Sequence, residues 1–136
     1  MNAEAESVAI VRTAYEAYVR GDLATMLGFV AEDLEWTYLD PWEPDPEPRI
    51  CHGRAELEHA LKRLAHDGLT PELEEVTGRD DRVVVGIHTQ GIDQYRARAA
   101  DDRNYLVATV SDGRISALRA CRNRTEARAL AGIERV

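Results

Sequence analysis

The stretch from Leu34 to Gly53 reads Leu-Glu-Trp-Thr-Tyr-Leu-Asp-Pro-Trp-Glu-Pro-Asp-Pro-Glu-Pro-Arg-Ile-Cys-His-Gly. Large apolar and aromatic side chains alternate with other residues from Leu34 to Leu39, which predicts a short strand. Four of the five prolines of the chain then lie between Pro41 and Pro48, so the next segment is expected to be a stiff loop. Both tryptophans and the acid Asp40 also lie in this stretch. An apolar wall with one carboxylate at its rim suits a small-molecule pocket.

The bulk composition is that of a single soluble domain. The chain has 136 residues, which fits one domain over 1–136 that can bury a core without metal or disulfide. Its hydrophobic content is 44% and its charged content 31%, both ordinary for a globular protein. The net charge of -8 argues against nucleic acid and membrane as partners, because both attract a basic face.

The cysteines and the N-terminus indicate where the protein works. Cys51 and Cys121 are far apart and form no CxxC pair, so we expect two free, buried thiols in a reducing compartment. The first residues are acidic and lack the apolar segment of a signal peptide. No apolar run approaches the roughly 20 residues of a membrane helix. These features together predict a cytoplasmic protein.

Two helices are predicted before the opening stretch. Apolar residues recur at three- and four-residue steps from about Ser7 to Arg20, as in an amphipathic helix. Gly21 is a typical helix stop, and Asp22 is a good N-cap for a second helix over Leu23 to about Val30. Glu32-Asp33 is expected to be a polar break before the strand.

One helix and then mostly strands are predicted after the stretch. The order indicates an α+β fold, with a curved antiparallel or mixed sheet wrapped around the N-terminal helices and a pocket between them. The predicted elements are a helix over Arg54 to His66, strands over Pro71 to Arg79, Arg82 to about Ile92, Tyr105 to Val110 and Arg114 to Arg122, an irregular hairpin or loop over Gln94 to Asn104, and a short last helix that is capped by Asn123 and ends at Gly132.

Short motifs along nearly the whole chain connect it to a known fold family. They are Tyr15-Glu-Ala-Tyr-Val-Arg-Gly-Asp-Leu, Ala31-Glu-Asp-Leu-Glu-Trp, His52-Gly-Arg-Ala-Glu-Leu, Asp112-Gly-Arg-Ile and the tail from Arg122 to Gly132. With these motifs the chain resembles the nuclear-transport-factor-2-like superfamily, and most of all its SnoaL-like polyketide-cyclase branch. The resemblance implies the cone-shaped α+β fold. It is poorly specific for function, because the superfamily holds isomerases, cyclases, epoxide hydrolases, dehydratases and non-catalytic binding proteins.

The pair Asp40-Pro41 gives the sharpest local match, which is to the ketosteroid isomerase branch. The general base of that branch sits in an Asp-Pro pair after the first strand, so the resemblance implies that Asp40 is a base. The oxyanion tyrosine of the branch falls on Ala14, which Tyr15 and Tyr18 flank. Its second acid falls near Leu106.

Three residues are the candidate catalytic groups. Aromatic neighbours would desolvate Asp40, which raises the pKa of a carboxylate and makes it a stronger base toward a carbon acid. His88 lies in the most strand-like run and could share a proton with Asp40 or polarise a carbonyl if its face is concave; the alternative is a histidine on the outer face. A tyrosine hydroxyl, with Tyr15 as first candidate, would steady an enolate oxygen.

A wider set of residues is predicted to contact the substrate. Arg119 could bind an anionic group if its strand face is concave, with surface ion pairing as the alternative. His52 could contact substrate or only fix the loop by a hydrogen bond. The predicted substrate contacts are Trp36, Tyr38, Trp42, Tyr18, Arg119 and His52. The four histidines form no HxH or HExxH pattern and no Gly-rich phosphate loop is present, so no metal and no cofactor are expected.

These residues support three functional hypotheses. The first is a cofactor-independent isomerase or cyclase that uses Asp40 as general base on a small apolar carbonyl compound. The second is a non-catalytic ligand-binding or assembly protein on the same fold. The third is an epoxide hydrolase of the limonene-epoxide-hydrolase type, for which Arg96, Arg98, Asp101 and Asp102 supply the residue types. A homodimer through the sheet is also expected from the superfamily, and Val83 to Ile87, apolar on both faces, fits one face toward the core and one toward a partner.

Overall fold

The computed structural model describes residues 3–38, 47–66, 70–90 and 103–133, with side chains for 4–38, 47–62, 71–88 and 104–133. Within these ranges the chain is an α+β protein, as predicted. The elements in chain order are α1 (Ala3–Val19), α2 (Leu23–Gly28), β1 (Val30–Tyr38), β2 (Arg49–His52), α3 (Arg54–His66), β3 (Thr70–Arg79), β4 (Arg82–Gln90), β5 (Arg103–Ser111), β6 (Arg114–Cys121) and α4 (Arg124–Ala131). No helix among the described residues is long and apolar enough to cross a membrane.

The six strands form one mixed sheet in the order β2-β1-β6-β5-β4-β3. The pair β1 and β6 is parallel, and the other neighbouring pairs are antiparallel. The strands β3 to β6 form an antiparallel meander, in which tight turns join β3 to β4 and β5 to β6. Asp80 (φ 56°) and Asp112 (φ 53°) take the left-handed conformation in these turns, and Gly113 follows at φ 77°. Asx and Gly residues tolerate this conformation, and strands were predicted on either side of both turns.

Strand alternation divides the sheet into two apolar faces. Val83, Val85 and Ile87 belong to the inner core, the cluster that includes residues of α1, α2 and α3. Val84 belongs to a separate outer core. We call the two sides of the sheet the inner face and the outer face accordingly. The members of the outer core are Val84, Tyr105, Val107, Cys121, Ala127 and Ala131.

The structure corrects one argument for a partner protein. The second face of the Val83 to Ile87 run was expected to meet another subunit. Instead Val84 is fully buried in a cluster with Ala127 and Ala131 of α4 in the same chain. These alanines are four residues apart and share one helix side, so the helix can lie close to the strand. The apolar outer side of β4 therefore needs no partner to cover it.

Strand β1 is longer than predicted, and the predicted break at Glu32-Asp33 is wrong. Val30 pairs with Ile115 and Glu35 with Ala117, with a register shift between the two pairs. Five steps along β1 thus match two along β6. The extra residues form a bulge that leaves Glu32 and Asp33 exposed, as two charged side chains require.

Strand β2 was not predicted at all. Arg49–His52 pairs antiparallel with Glu35 to Tyr38 at one edge of the sheet. Its four residues follow a proline-rich run that indicates a loop, and an edge strand tolerates such neighbours. The predicted segment Gln94 to Asn104 lies largely outside the described residues.

The terminal helix begins and ends where the sequence predicts. The side chain of Asn123 accepts a hydrogen bond of 2.8 Å from the Glu126 backbone N–H. Gly132 ends the helix in the left-handed conformation at φ 81°. Both cysteines are free, with Cys121 buried and Cys51 half-buried.

Helix α1 packs so closely on β3 that a single methyl group should disturb it. A Cβ built on Gly78 would overlap Cγ2 of Val8. We expect Gly78→Ala to lower the free energy of unfolding by about 1–3 kcal/mol, the cost of overpacking a core, as measured by urea titration.

Two further variants test this contact. In a Val8→Ala background the cost of Gly78→Ala should shrink, because the overlapping methyl is gone. Gly28→Ala is the matched control, since nothing lies within 4 Å of its built Cβ. An unchanged free energy of unfolding in Gly78→Ala would show that α1 lies farther from β3 than described.

Candidate functional site

An aromatic pair lies on the inner face at the end of β1. The rings of Trp36 and Tyr38 stack with centroids 4.7 Å apart and planes at 27°. The two residues share a face because they are two apart on one strand. Trp36 pairs with Leu118, a buried member of the inner core, and packs against that core itself. The pair therefore offers a flat apolar surface to the helix side of the sheet.

Two tyrosines of α1 approach the same core. Tyr15 is 3% exposed, and its ring meets that of Tyr18 edge to face, with centroids 5.9 Å apart. Burial, with a smaller contribution from repulsion by Tyr18, raises the pKa of Tyr15 above its usual value of 10.0. Its hydroxyl therefore keeps its proton at physiological pH and can only act as a neutral donor or acceptor. We call the stacked rings of Trp36 and Tyr38 the aromatic group; Tyr15 and Tyr18 share the inner core with Trp36.

Two predicted site residues, Asp40 and Trp42, lie outside the described residues. Tyr38 is the last residue of β1, two residues before Asp40 in the sequence. The strand directions place the end of β1, the end of β4 and the starts of β2, β3 and β5 at the same end of the sheet. The aromatic pair therefore lies at this end of the sheet.

The structure places His88 on the outer face. It alternates with Ile87, which belongs to the inner core, and its Nδ1 lies 3.6 Å from Oε1 of Glu72. The predicted role of His88 required a position on the concave face. Side chains alternate along β4, so His88 points away from α1 when Ile87 points toward it. The structure does not bring His88 and Tyr15 together.

Arg119 also lies on the outer face. It pairs with Val107 of the outer core and with Thr37 of β1, while its neighbour Leu118 takes the inner position. Its side chain is exposed. The predicted anion contact in the pocket therefore has no support from its position.

His52 is an exposed residue of β2 that pairs with Glu35. Its backbone N–H donates a 3.3 Å hydrogen bond to Oε1 of Glu56 in the first turn of α3. The contact joins β2 to the start of α3, and the backbone of His52 provides it, not the ring.

One inner-face residue was missed by sequence reasoning. Cys51 pairs with Trp36 across β2 and β1, which puts its thiol on the side of the aromatic group. Burial and the neighbouring Glu56 raise the pKa of this thiol, so it remains protonated and apolar. Only the unpredicted strand β2 reveals its place.

The positions that would carry the oxyanion tyrosine and the second acid of ketosteroid isomerases are apolar here. Ala14 is fully buried and Leu106 is 7% exposed, both in the inner core. The described residues include no group of three His, Cys, Asp or Glu that could hold a metal ion. The residues that would form a water clamp for epoxide hydrolysis, Arg96, Arg98, Asp101 and Asp102, lie outside the described residues.

A separate cleft of about 440 Å³ opens at the end of the sheet opposite to the one that carries Trp36 and Tyr38. It lies at the β3–β4 turn, next to the C-terminus of α4. Its lining is Arg79, Asp80, Asp81, Arg82, Ala131 and Gly132. This cleft is not an extension of the aromatic group.

The fold is that of the NTF2-like cone proteins. It is similar to Bal32a from a soil-derived mobile gene cassette (TM-score 0.68, 20% identity, 88% of this chain and 91% of that chain). It is also similar to a proposed ketosteroid isomerase from Kribbella flavida (TM-score 0.67, 15% identity, 88% and 79%). A proposed polyketide cyclase from Xanthomonas campestris is a third similar structure (TM-score 0.63, 23% identity, 88% and 91%).

The family follows from the sequence itself. A model of the SnoaL-like domain matches residues 11–118, so the chain belongs to the SnoaL-like domain family. No curated protein matches the sequence.

The raised pKa of Tyr15 should be visible on alkaline titration. Folding protects its protonated form, so its contribution to stability is present below the unfolded pKa of about 10 and is lost as pH rises toward the folded pKa. We expect absorbance at 295 nm to show a late step, in which Tyr15 ionises only when the protein unfolds. Tyr15→Phe should remove that step and leave the earlier phenolate signal unchanged; loss of an earlier step would contradict the burial of this hydroxyl.

Proposed function

We propose that the protein is a cofactor-independent isomerase or cyclase that acts on a small apolar carbonyl compound with Asp40 as general base. The observation that carries the proposal is the stacked pair of Trp36 and Tyr38 on the inner face, two residues before the acid. The names of two similar structures, a proposed polyketide cyclase and a proposed ketosteroid isomerase, favour the same class of chemistry. The two free cysteines fit our proposal of a cytoplasmic location.

The proposed mechanism begins with proton abstraction. The carboxylate of Asp40 takes a proton from the carbon next to the carbonyl, and the electron pair of that C–H bond moves to the carbonyl oxygen. Stacking on Trp36 and Tyr38, with Trp42 as a third ring, would hold the substrate and exclude water. Exclusion of water favours the proton transfer to Asp40.

A tyrosine hydroxyl completes the proposed mechanism. Tyr15 keeps its proton because its pKa is raised by burial, so it can donate a hydrogen bond to the enolate oxygen without losing its proton; Tyr18, edge-on to it, is the second candidate. The proton on Asp40 then returns to another carbon in an isomerisation. In a cyclisation the enolate carbon instead attacks a second carbonyl, whose oxygen takes the proton.

Replacing the base tests this mechanism. Asp40→Asn should lower kcat about 10²- to 10⁴-fold, the contribution of a general base, with ligand affinity from tryptophan fluorescence nearly unchanged. Asp33→Asn is the matched control, because Asp33 is an exposed acid on β1. Full turnover by Asp40→Asn on a true substrate, or an equal loss in the control, would exclude Asp40 as the base.

A binding protein on the same fold is the second candidate. The apolar side chains at Ala14 and Leu106 favour it, because two groups that stabilise an enolate in ketosteroid isomerases have no counterpart there. Incubation of the purified protein with a metabolite extract separates the two candidates: conversion of a compound supports the enzyme, and retention of an unchanged compound supports the binding protein.

We also propose a homodimer that uses the part of the outer face not covered by α4. Ile50 on β2 is 62% exposed and pairs with Thr37, which in turn pairs with Arg119. Among the described residues Ile50 is the large hydrophobic side chain that is exposed, so it is the first candidate for a contact with a second copy.

Sedimentation velocity tests this interface. Ile50→Asp should shift the protein from dimer to monomer, because a charge replaces a buried apolar contact. Ala55→Asp, on the exposed start of α3, should leave the dimer intact. A monomeric wild type would refute the dimer.

A further inference from the structure

The last helix is fastened to the sheet by a carboxylate on β3. Nε of Arg124 lies 2.7 Å from Oε1 of Glu75, and its second nitrogen lies 3.2 Å from Oε2. Arg128 places Nη1 at 3.7 Å from Oε2, and the Thr77 hydroxyl donates to the same oxygen at 2.9 Å. Glu75 is thus engaged at both oxygens by two elements. A bidentate arginine–carboxylate pair is among the stronger polar contacts in proteins.

The other end of α4 is held by the same hairpin. Arg79 donates from Nη1 to the carbonyl oxygen of Gly132 at 2.7 Å, and Arg82 donates to that of Leu130 at 2.8 Å. The last carbonyls of a helix have no partner within the helix and carry the negative end of its dipole. Two arginines therefore satisfy them from the β3–β4 turn. Both ends of the helix are attached to β3 and β4 by polar contacts.

The apolar contribution of α4 is modest. The helix has eight residues, too few to be stable alone in water. Its buried residues are two small alanines, Ala127 and Ala131, and the larger Leu130 and Ile133 pack beside them while only partly buried. The polar attachments therefore weigh heavily in whether the helix stays docked.

The helix covers a surface that is separate from the main core. The inner core and the outer core share no residue, so undocking of α4 leaves the packing around α1 intact. The surface beneath the helix includes the thiol of Cys121, which is 2% exposed. Burial is the largest cause that raises the pKa of this thiol to about 11.

We propose that α4 is a strap that opens from the outer face as one unit, that Glu75 with Arg124 and Arg128 is its fastening, and that opening makes Cys121 accessible while the inner core stays folded. Local opening of this kind is expected of segments with few buried apolar contacts. The inference concerns the outer face and does not depend on the proposed reaction.

Labelling of Cys121 by a thiol reagent measures the opening. In Cys51→Ser, Cys121 is the single cysteine of the chain. We expect Glu75→Gln in this background to label at least about tenfold faster at fixed pH, since a charge-assisted pair is lost. Glu58→Gln is the matched control: it breaks an exposed pair with Lys62 at 2.7 Å on α3, and it should label at the rate of the parent.

The urea dependence of labelling decides between local and global opening. A strap exposes little surface, so the logarithm of the labelling rate should depend on urea with a slope well below that of global unfolding. If labelling in the parent and in Glu75→Gln depends on urea as steeply as global unfolding does, α4 does not open as a separate unit. If Glu75→Gln labels at the rate of the parent, Glu75 does not hold α4 on the sheet. Should Glu75→Gln not fold, Arg124→Gln removes the same pair from the exposed side, and the same outcomes apply to it.

Discussion

The alternation of side chains along β4 is the constraint on which the structure depends. Val83, Val85 and Ile87 face the helices of the first half of the chain, and Val84 faces the last helix. A shift of one residue would exchange these faces and put the outward-facing His88 into the dry interior, which is costly for a polar ring. The register of one strand thus fixes which helices lie on which side of the sheet.

The parallel contact between β1 and β6 transmits this constraint to the candidate site. Trp36 pairs with Leu118, so its ring must lie on the inner face wherever Leu118 does. The bulge between Val30 and Glu35 sets that register, because it absorbs the residues that would otherwise turn Trp36 outward. The side of the sheet on which the aromatic group lies therefore depends on how the earlier residues of β1 pair with β6.

Local chemistry predicted much of the fold. The turn at Asp112-Gly113 and the cap at Asn123 depend on residues within one or two turns of each other, so the sequence states them directly. The sides of His88 and Arg119 depend on strand register instead, and no short pattern encodes it. The predicted roles of both residues required a position on the concave face, and both residues lie on the outer face.

The predictions about the site divide in the same way. Alternation within β1 is local, and it correctly put Trp36 and Tyr38 on one side of the strand. Cys51 was missed because the four residues of β2 become a strand only when β1 is beside them. An edge strand gains its stability from its neighbour more than from its own residues.

The two edges of the sheet have a consequence for the behaviour of the protein at high concentration. One edge strand, β2, has only four residues and directly follows Pro48. The other, β3, carries Pro71 near its start, an exposed Glu72 and a register shift between Leu73 and Glu75. Short length, proline, charge and irregular register all hinder the addition of a foreign strand. Growth by edge-to-edge addition of a second copy is therefore disfavoured at both edges of the described sheet.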